Sequence, residues 1–339
     1  MALGESAMLG RMELAALALL TLGGGAATAE PLQVRVSWTA PVSDWASIWL
    51  EKKDLARNYG KSYVFDAVRY RGTPPMITAL ANNELEIASL AYSTLPIAVE
   101  NAGMDDMRVI SENFEDGYPG YYSNEYEVLA DGPIHKIEDL KGKVVATNAA
   151  GSAVDVAMRA LLHQHGLEAN RDYTIIEAPF PAMRAMLAEK KADLIPAVPP
   201  FSFDPEMKKI GRTLFTSKDA LGLSQFIMWT ARKPFIDAHR AALVDLLEDS
   251  LRIIHWYLDP QNHDAVEQIA ARVTKQPANQ FGWVFTKSDY YRNPQMLPNL
   301  DALQNNVDLV QKLDLVQARL DVKSHADLSM IEEAAKRLK

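Results

Sequence analysis

Catalytic and metal chemistry would have to come from seven histidines and the carboxylates, because the chain contains no cysteine. His163 and His165 stand nearest to a metal pair, but two residues apart on a helix they point about 200° away from each other. His255 with Asp259 and His263 with Glu267 have i, i+4 spacing, which is more often a helix-surface hydrogen bond than a site. No metal is assigned. The absence of cysteine removes disulfide scaffolds, thiolate zinc sites, iron–sulfur clusters, Cys nucleophiles and the thioether lipid anchor. No G-x-G-x-x-G follows a strand, and neither a G-x-x-x-x-G-K-[ST] loop nor a G-x-S-x-G elbow is present. Nucleotide binding and a hydrolase triad therefore lack support, and neither a cofactor nor a catalytic residue is expected. Glu189-Lys190-Lys191 and Glu332 to Arg337 are charge runs that read as solvated helix faces.

What remains is a set of strand-to-helix turns ending in small residues, at Ser93-Thr94 and at Gly151-Ser152-Ala153. A helix start offers unpaired backbone N–H groups and about half a positive charge, so it can hold a carboxylate, sulfonate or nitrate without Arg or Lys. Taken singly, either turn is an ordinary N-cap, where Ser and Thr are favoured anyway. Two of them at the carboxyl ends of parallel strands, one in each of two α/β units, point to a ligand crevice. Aromatic residues cluster beside these turns: Trp38, Trp45 and Tyr92, then Tyr118, Tyr121 and Tyr122, then Phe180, Phe201 and Phe203. At strand ends they would form flat apolar walls with hydroxyl donors around an organic ligand, whereas Trp49 reads as core.

The elements that must position these residues follow from periodicity. Leu32 to Val36 alternates as a strand, and Ser43 or Asp44 can cap a helix carrying Trp45, Ile48 and Trp49 on one face. Tyr63 to Tyr70 is a second strand; Thr73 then serves as N-cap and Pro74 as first residue of a helix to about Ala81. Glu86 to Ala91 is a third strand and Leu95 to Asn101 a short helix. After a tyrosine-rich loop, Gly117 to Glu127, the alternation restarts. Strands are expected at Lys143 to Thr147, Tyr173 to Glu177 and Asp193 to Val198, with helices at Ser152 to His165 and Pro181 to Lys190. Ser224 to Thr230 is one more strand, and helices follow over Phe235 to Leu258, Pro260 to Thr274 and on to Lys339. Strand–helix alternation implies βαβ units and a largely parallel sheet, here twice over, with a helical tail. No internal repeat is legible.

Length and composition agree with an α/β protein of about two domains: 339 residues, 48% hydrophobic, 23% charged. A net charge of −9 makes nucleic acid an unsuitable partner. Leu14 to Ala27 is uncharged and apolar or small, and Ala27-Thr28-Ala29 before Glu30 forms an A-x-A cleavage pattern, so residues 1–29 read as a secretory signal peptide. Arg11 is offset by Glu5 and Glu13, which leaves Met8 and Met12 open as alternative starts. Glycines at Gly23 to Gly25 weaken the reading of this segment as a spanning helix, which needs about 20 apolar residues.

Three segments carry a resemblance: YRGTPPMITALANNELEIASLAYSTLP, HKIEDLKGKVVATNAAGSAVDVAMRALLHQHGL with its Asp139-Leu140-Lys141-Gly142, and PFPAMRAMLAEKKADLIPAVPPF. In this order the chain from about Leu32 to Val273 resembles the periplasmic substrate-binding proteins of nitrate, sulfonate and taurine type ABC importers. These have the type II periplasmic binding protein fold of the thiamin-pyrimidine-synthase-like superfamily. The resemblance implies two lobes: residues 30–126 with 225–339, and residues 127–224, each a mostly parallel sheet flanked by helices. It also implies a cleft that closes by a hinge on a small organic anion of the sulfonate or aromatic carboxylate class. Carried over by position, Ser93 and Thr94 would be anion contacts of the first lobe, and Gly151, Ser152 and Ala153 those of the second. Asn148 would be their neighbour, and Pro199 and Phe201 the far wall. Arg71 and Thr73 depart from the family's usual residues, so the ligand need not be taurine or nitrate, and the role of Arg71 stays open. Together with Trp38, Trp45, Tyr92, Tyr118 and Tyr122 these make up the expected ligand-binding set. The implied partner is an ABC permease of the inner membrane, the implied state a monomer and the implied location the periplasm. A pyrimidine-precursor synthase-like enzyme and a periplasmic sensory subunit are the alternatives.

Overall fold

The computed structural model describes residues 30–338, of which Pro31 onward forms one compact unit. The signal-peptide reading lies outside the described residues. The chain enters at β1 (Leu32–Trp38), which pairs in parallel with β2 (Tyr63–Arg69), Val34 opposite Phe65 and Val36 opposite Ala67. Between them, residues Trp45–Leu55 form a 3₁₀ helix, not an α-helix, with non-helical geometry at Lys52. Its apolar face is buried, as expected for Trp49, which stacks on Phe65 at 4.5 Å, but not for Trp45, which stacks on Trp229 at 5.1 Å. Then come α1 (Pro74–Ala81), β3 (Ala88–Ala91), α2 (Thr94–Asn101) and β4 (Met107–Asp116).

The chain crosses over through residues 117–124 into β5 (Glu125–Leu129), followed by β6 (Val144–Thr147), α3 (Ala153–Gln164) and β7 (Thr174–Glu177). Next are α4 (Met183–Ala188), β8 (Ile195–Ala197), α5 (Pro205–Ile210), β9 (Gly211–Thr216) and α6 (Ser217–Leu221). β10 (Ser224–Arg232) returns to the first group of strands, and α7 (Lys233–Leu258), α8 (His263–Thr274), α9 (Leu300–Lys312) and α10 (Ser329–Arg337) complete the fold.

The strands form two groups with one plan. β10 lies antiparallel between β3 and β4, and one parallel bridge, Val36 to Ile87 just before β3, ties β3 to β1, giving the order β2-β1-β3-β10-β4. Likewise β5 lies antiparallel between β8 and β9, and Val145 bridges Leu194 in parallel, giving β7-β6-β8-β5-β9. In each group four strands share a direction and the one entering from the crossover opposes them. The expectation of largely parallel sheets thus needs one correction per group: the strand arriving across the gap has no helical crossover of its own, so it pairs antiparallel. The shared plan is an internal symmetry that the sequence hides.

β4 was not expected. Its burial does not alternate, because the edge of the strand is covered: Glu112 N–H donates to the Met296 carbonyl, Tyr291 bridges Glu115 and Ala326 bridges Val109. Polar residues on β4 are absorbed by the backbone of this 291–296 segment, as where Glu112 accepts from Asn293 N–H at 3.1 Å. One apolar core lies between β1, β2, α7 and α10, and a second runs from β3 and β10 through to α3 without a break. The two crossovers touch. Gly117, at φ +75°, packs so closely on Gly222 that a Cβ there would collide with the Gly222 carbonyl.

Candidate functional site

Between the two strand groups lies a chamber of about 40 Å³, room for about three waters. Its walls come from turns. The segment after β1 contributes Thr39, Ala40, Ser43 and Asp44, and the residue before α1 contributes Thr73. Facing them, Asn148, Ser152, Ala153 and Val154 come from the turn between β6 and α3, with Phe180 and Val198 beside them. Phe114, Phe226 and Tyr290 make a stacked aromatic side, with Phe114 and Tyr290 4.2 Å apart.

Strands ending at the chamber explain why these turns converge. Ser152 N-caps α3, accepting from Asp155 N–H, and its hydroxyl donates to Asn148 Oδ1 at 2.6 Å. Ala153 and Val154, in the first turn, carry N–H groups that the helix cannot satisfy. The Asp155 carboxylate sits behind them, accepting from Gly151 N–H and Arg159 Nε at 2.9 Å each, so its charge is countered from outside the chamber. Thr73 is 3% exposed, lines the chamber, and its Oγ1 has no hydrogen-bond partner. Asp44 is 2% exposed and forms no ion pair among the described residues. Its carboxylate accepts from Asn113 Nδ2 at 2.7 Å, Thr39 N–H at 3.2 Å and Ser89 Oγ at 3.4 Å. Burial pushes its pKa up to about 7 against these hydrogen bonds.

Of the expected set, Asn148, Ser152 and Ala153 line the chamber. Ser93 faces across the gap and donates to the Gly151 carbonyl at 2.8 Å, so those two turns do confront one another. Tyr92 is wholly buried behind them, its hydroxyl donating to the Ala153 carbonyl at 2.9 Å. Pro199 accepts from Ser43 Oγ across the same gap. Trp38 and Phe201 line a separate outer groove of about 680 Å³. That groove shares a wall with the chamber, since Ala40–Pro41 and Phe180–Pro181 contribute to both sides.

The other expected contacts lie elsewhere. Trp45 is in the core, because its face of the 3₁₀ helix packs on Trp229. Thr94 closes a local turn, exchanging hydrogen bonds with Ala91 at 3.0 Å, and does not reach the chamber. Tyr118 stacks on Tyr291 at 3.8 Å, and Tyr122 donates to the Ala197 carbonyl at 3.0 Å, one ring removed from Tyr290. Arg71 lies on the solvent side, 65% exposed and 3.5 Å from Glu177. His163 and His165 make hydrogen bonds to Glu168 and Glu138, and His263 Nε2 lies 3.1 Å from Glu267 Oε1, while His255 meets the Pro294 carbonyl rather than Asp259.

Asp44, Thr73 and Tyr290 were not anticipated as lining residues. Asp44 was legible only as a cap, and Thr73 as a cap and as a departure from the resembled family, and neither caps: no side-chain cap hydrogen bond forms at either helix start. That mismatch between a cap-type residue and an unused capping bond is the signal available in hindsight. Tyr290 comes from a long irregular stretch, where periodicity gives no signal. Its hydroxyl donates to Asn124 Oδ1, linking the chamber wall to the first crossover.

Residues 27–271 match the NMT1-like family. Among solved structures, the chain is similar to the alkanesulfonate-binding protein SsuA of Xanthomonas axonopodis pv. citri bound to MOPS, with 18% identity, 88% of this chain and 99% of that one covered, and a TM-score of 0.70. It is similar also to the periplasmic nitrate-binding protein NrtA of Synechocystis PCC 6803, at 14% identity, with 91% and 90% covered and a TM-score of 0.72. The desulfurization enzyme DSZB shares the fold too, at 14% identity, with 91% and 100% covered and a TM-score of 0.63. At these identities the likeness is one of fold. No curated protein matches in sequence.

Proposed function

The chain belongs to the NMT1-like family and has the fold of two-lobed periplasmic binding proteins, and from that premise we propose that it is the solute-binding component of an ABC importer, capturing a small organic acid between its lobes. The observation that carries this reading is the chamber itself, lined by turns of both strand groups, with the first turn of α3, whose N–H groups a helix leaves unpaired, on one side and the unpartnered Thr73 hydroxyl on the other. Hydroxyls, amides, helix-end N–H groups and one carboxylate form a set suited to holding a solute; they do not form a nucleophile–base pair. Sulfonate and nitrate binding by proteins of the same fold supports an acid as ligand.

In this reading residues 30–126 with 225–339 make one lobe and 127–224 the other, and residues 1–29 direct the chain to the periplasm. The protein acts as a monomer and delivers its ligand to an inner-membrane permease. Closure is a hinge motion at the crossovers near Gly117 and Gly222. Contacts across the gap, Ser93 to Gly151, Tyr92 to Ala153 and Ser43 to Pro199, are those that closure makes. A ligand favours the closed state only through what it binds better there, namely groups from both sides of the chamber.

A thermal-shift screen of alkyl sulfonates, nitrate, taurine, benzoates and phthalates tests the reading. At a hundredfold excess over Kd a true ligand adds about 2.7 kcal/mol, and a saturable rise in Tm is expected from at least one acid. No rise from any acid would overturn the reading.

A further inference from the structure

The chamber contains a feature that a simple anion does not explain. Asp44 is buried, lines the cavity, and has neither lysine nor arginine at ion-pair distance among the described residues. A carboxylate walled off from water without a counter-ion is costly, and next to a bound anion it is repelled as well. Arg159, on α3, is already engaged by Asp155, and Arg292, which reaches the Ser43 carbonyl, is paired with Asp289 at 2.8 Å. The protein supplies Asp44 with hydrogen bonds but no positive charge.

We propose that Asp44 is the specificity-determining residue of the chamber, and that the solute presents to it a protonated nitrogen, while its acidic group lies toward the first turn of α3. This inference rests on the binding-protein reading above and names the class of solute: compact acids that also carry an ammonium group. The polarity of the walls supports the two-ended arrangement. Ala153 and Val154, whose N–H groups lie in the first turn of α3, line the chamber on one side, and Asp44 lines it on the other. Thr73 Oγ1, unpartnered and buried, is a third polar contact that can donate to the acid or accept from the nitrogen. The stacked Phe114 and Tyr290 rings cover the apolar span between. A positively charged ligand nitrogen would also offset the cost of burying the Asp44 carboxylate and favour its ionised form.

The test uses compact isosteric pairs that differ by an ammonium against a methyl group: taurine and propanesulfonate, β-alanine and butyrate. Each is titrated calorimetrically into the purified protein and into Asp44→Asn. In the wild type the nitrogen-bearing member of a binding pair should be tighter by roughly tenfold or more, the worth of a hydrogen bond to a charged group. Asp44→Asn should erase that preference. The substitution should fold, because Asn113 Oδ1 is without a partner and the Asn113 amide can turn to receive the new donor. Equal or tighter binding of the methyl member, or a preference surviving Asp44→Asn, would overturn the inference while leaving an acid-binding protein in place. Binding by neither these probes nor any other acid would overturn both.

Discussion

At the residue scale, two side chains give separable predictions. Asp44 is held above the usual carboxylate range by burial, so between about pH 4, the ordinary value, and pH 7 the folded state holds a proton that the unfolded chain has released. Its contribution therefore becomes more destabilising as pH rises through that window. Asp44→Asn should melt higher than the wild type at pH 8, and the difference should shrink at pH 5; differential scanning calorimetry at both pH values checks this. A constant difference would mean the carboxylate is not buried as described. Thr73→Val removes a hydroxyl that has no partner in the protein. Its melting point should stay within a degree or two, while solute affinity falls about tenfold, the scale of one lost polar contact. Unchanged affinity by calorimetry would remove Thr73 from the site. These residues also mark the limit of what the sequence could reveal. Ser152 was legible because a Gly-Ser-Ala turn after a strand has a recognisable chemistry, and Asn148 only through the family resemblance, whereas Asp44 and Thr73 have the same residue types as ordinary caps. Only the position of their side chains in three dimensions distinguishes the two roles.

At the scale of elements, the arrangement depends on how closely two turns approach. Gly72, just before Thr73, faces the turn at Asn148, and a Cβ there would come within 2.9 Å of Asn148 Nδ2 and 3.0 Å of Ala149 Cβ. Gly72→Val should wedge this approach open and weaken solute binding by more than tenfold, the effect of losing contacts from both lobes at once. Far-ultraviolet circular dichroism of the variant should be unchanged, and wild-type affinity in a calorimetric titration would show that the turns need not meet. β1, β2, α1, α3 and α7 were readable from periodicity and capping to within a few residues. β4 was not, because the segment from Tyr291 to Met296 covers its edge and absorbs its polar residues. Trp45 was assigned to the ligand because an aromatic after a strand resembles a binding wall. Whether it faces a cavity or the core depends on the rotation of a 3₁₀ helix that sequence does not specify.

At the scale of the whole molecule, two strand groups of the same order face each other across paired crossovers, and the chamber exists only where they meet. The family resemblance carried this plan, and the alternation of elements carried the α/β class; the matching order of the two groups could not be read, because strand order is set by long-range pairing. If the crossovers are a hinge, a saturating ligand should lower the radius of gyration measured by small-angle X-ray scattering, and a value that does not change would mean the lobes are already closed without it. The central claim, that a solute is clamped between the lobes against Asp44, Thr73 and the first turn of α3, is tested most directly by a crystal structure of the protein grown with the tightest-binding acid from the screen. The account predicts ligand density in the chamber, with its nitrogen at hydrogen-bond distance from Asp44 and its acidic group beside Ala153 and Val154. Density confined to the outer groove lined by Trp38 and Phe201, with the chamber holding only water, would contradict it.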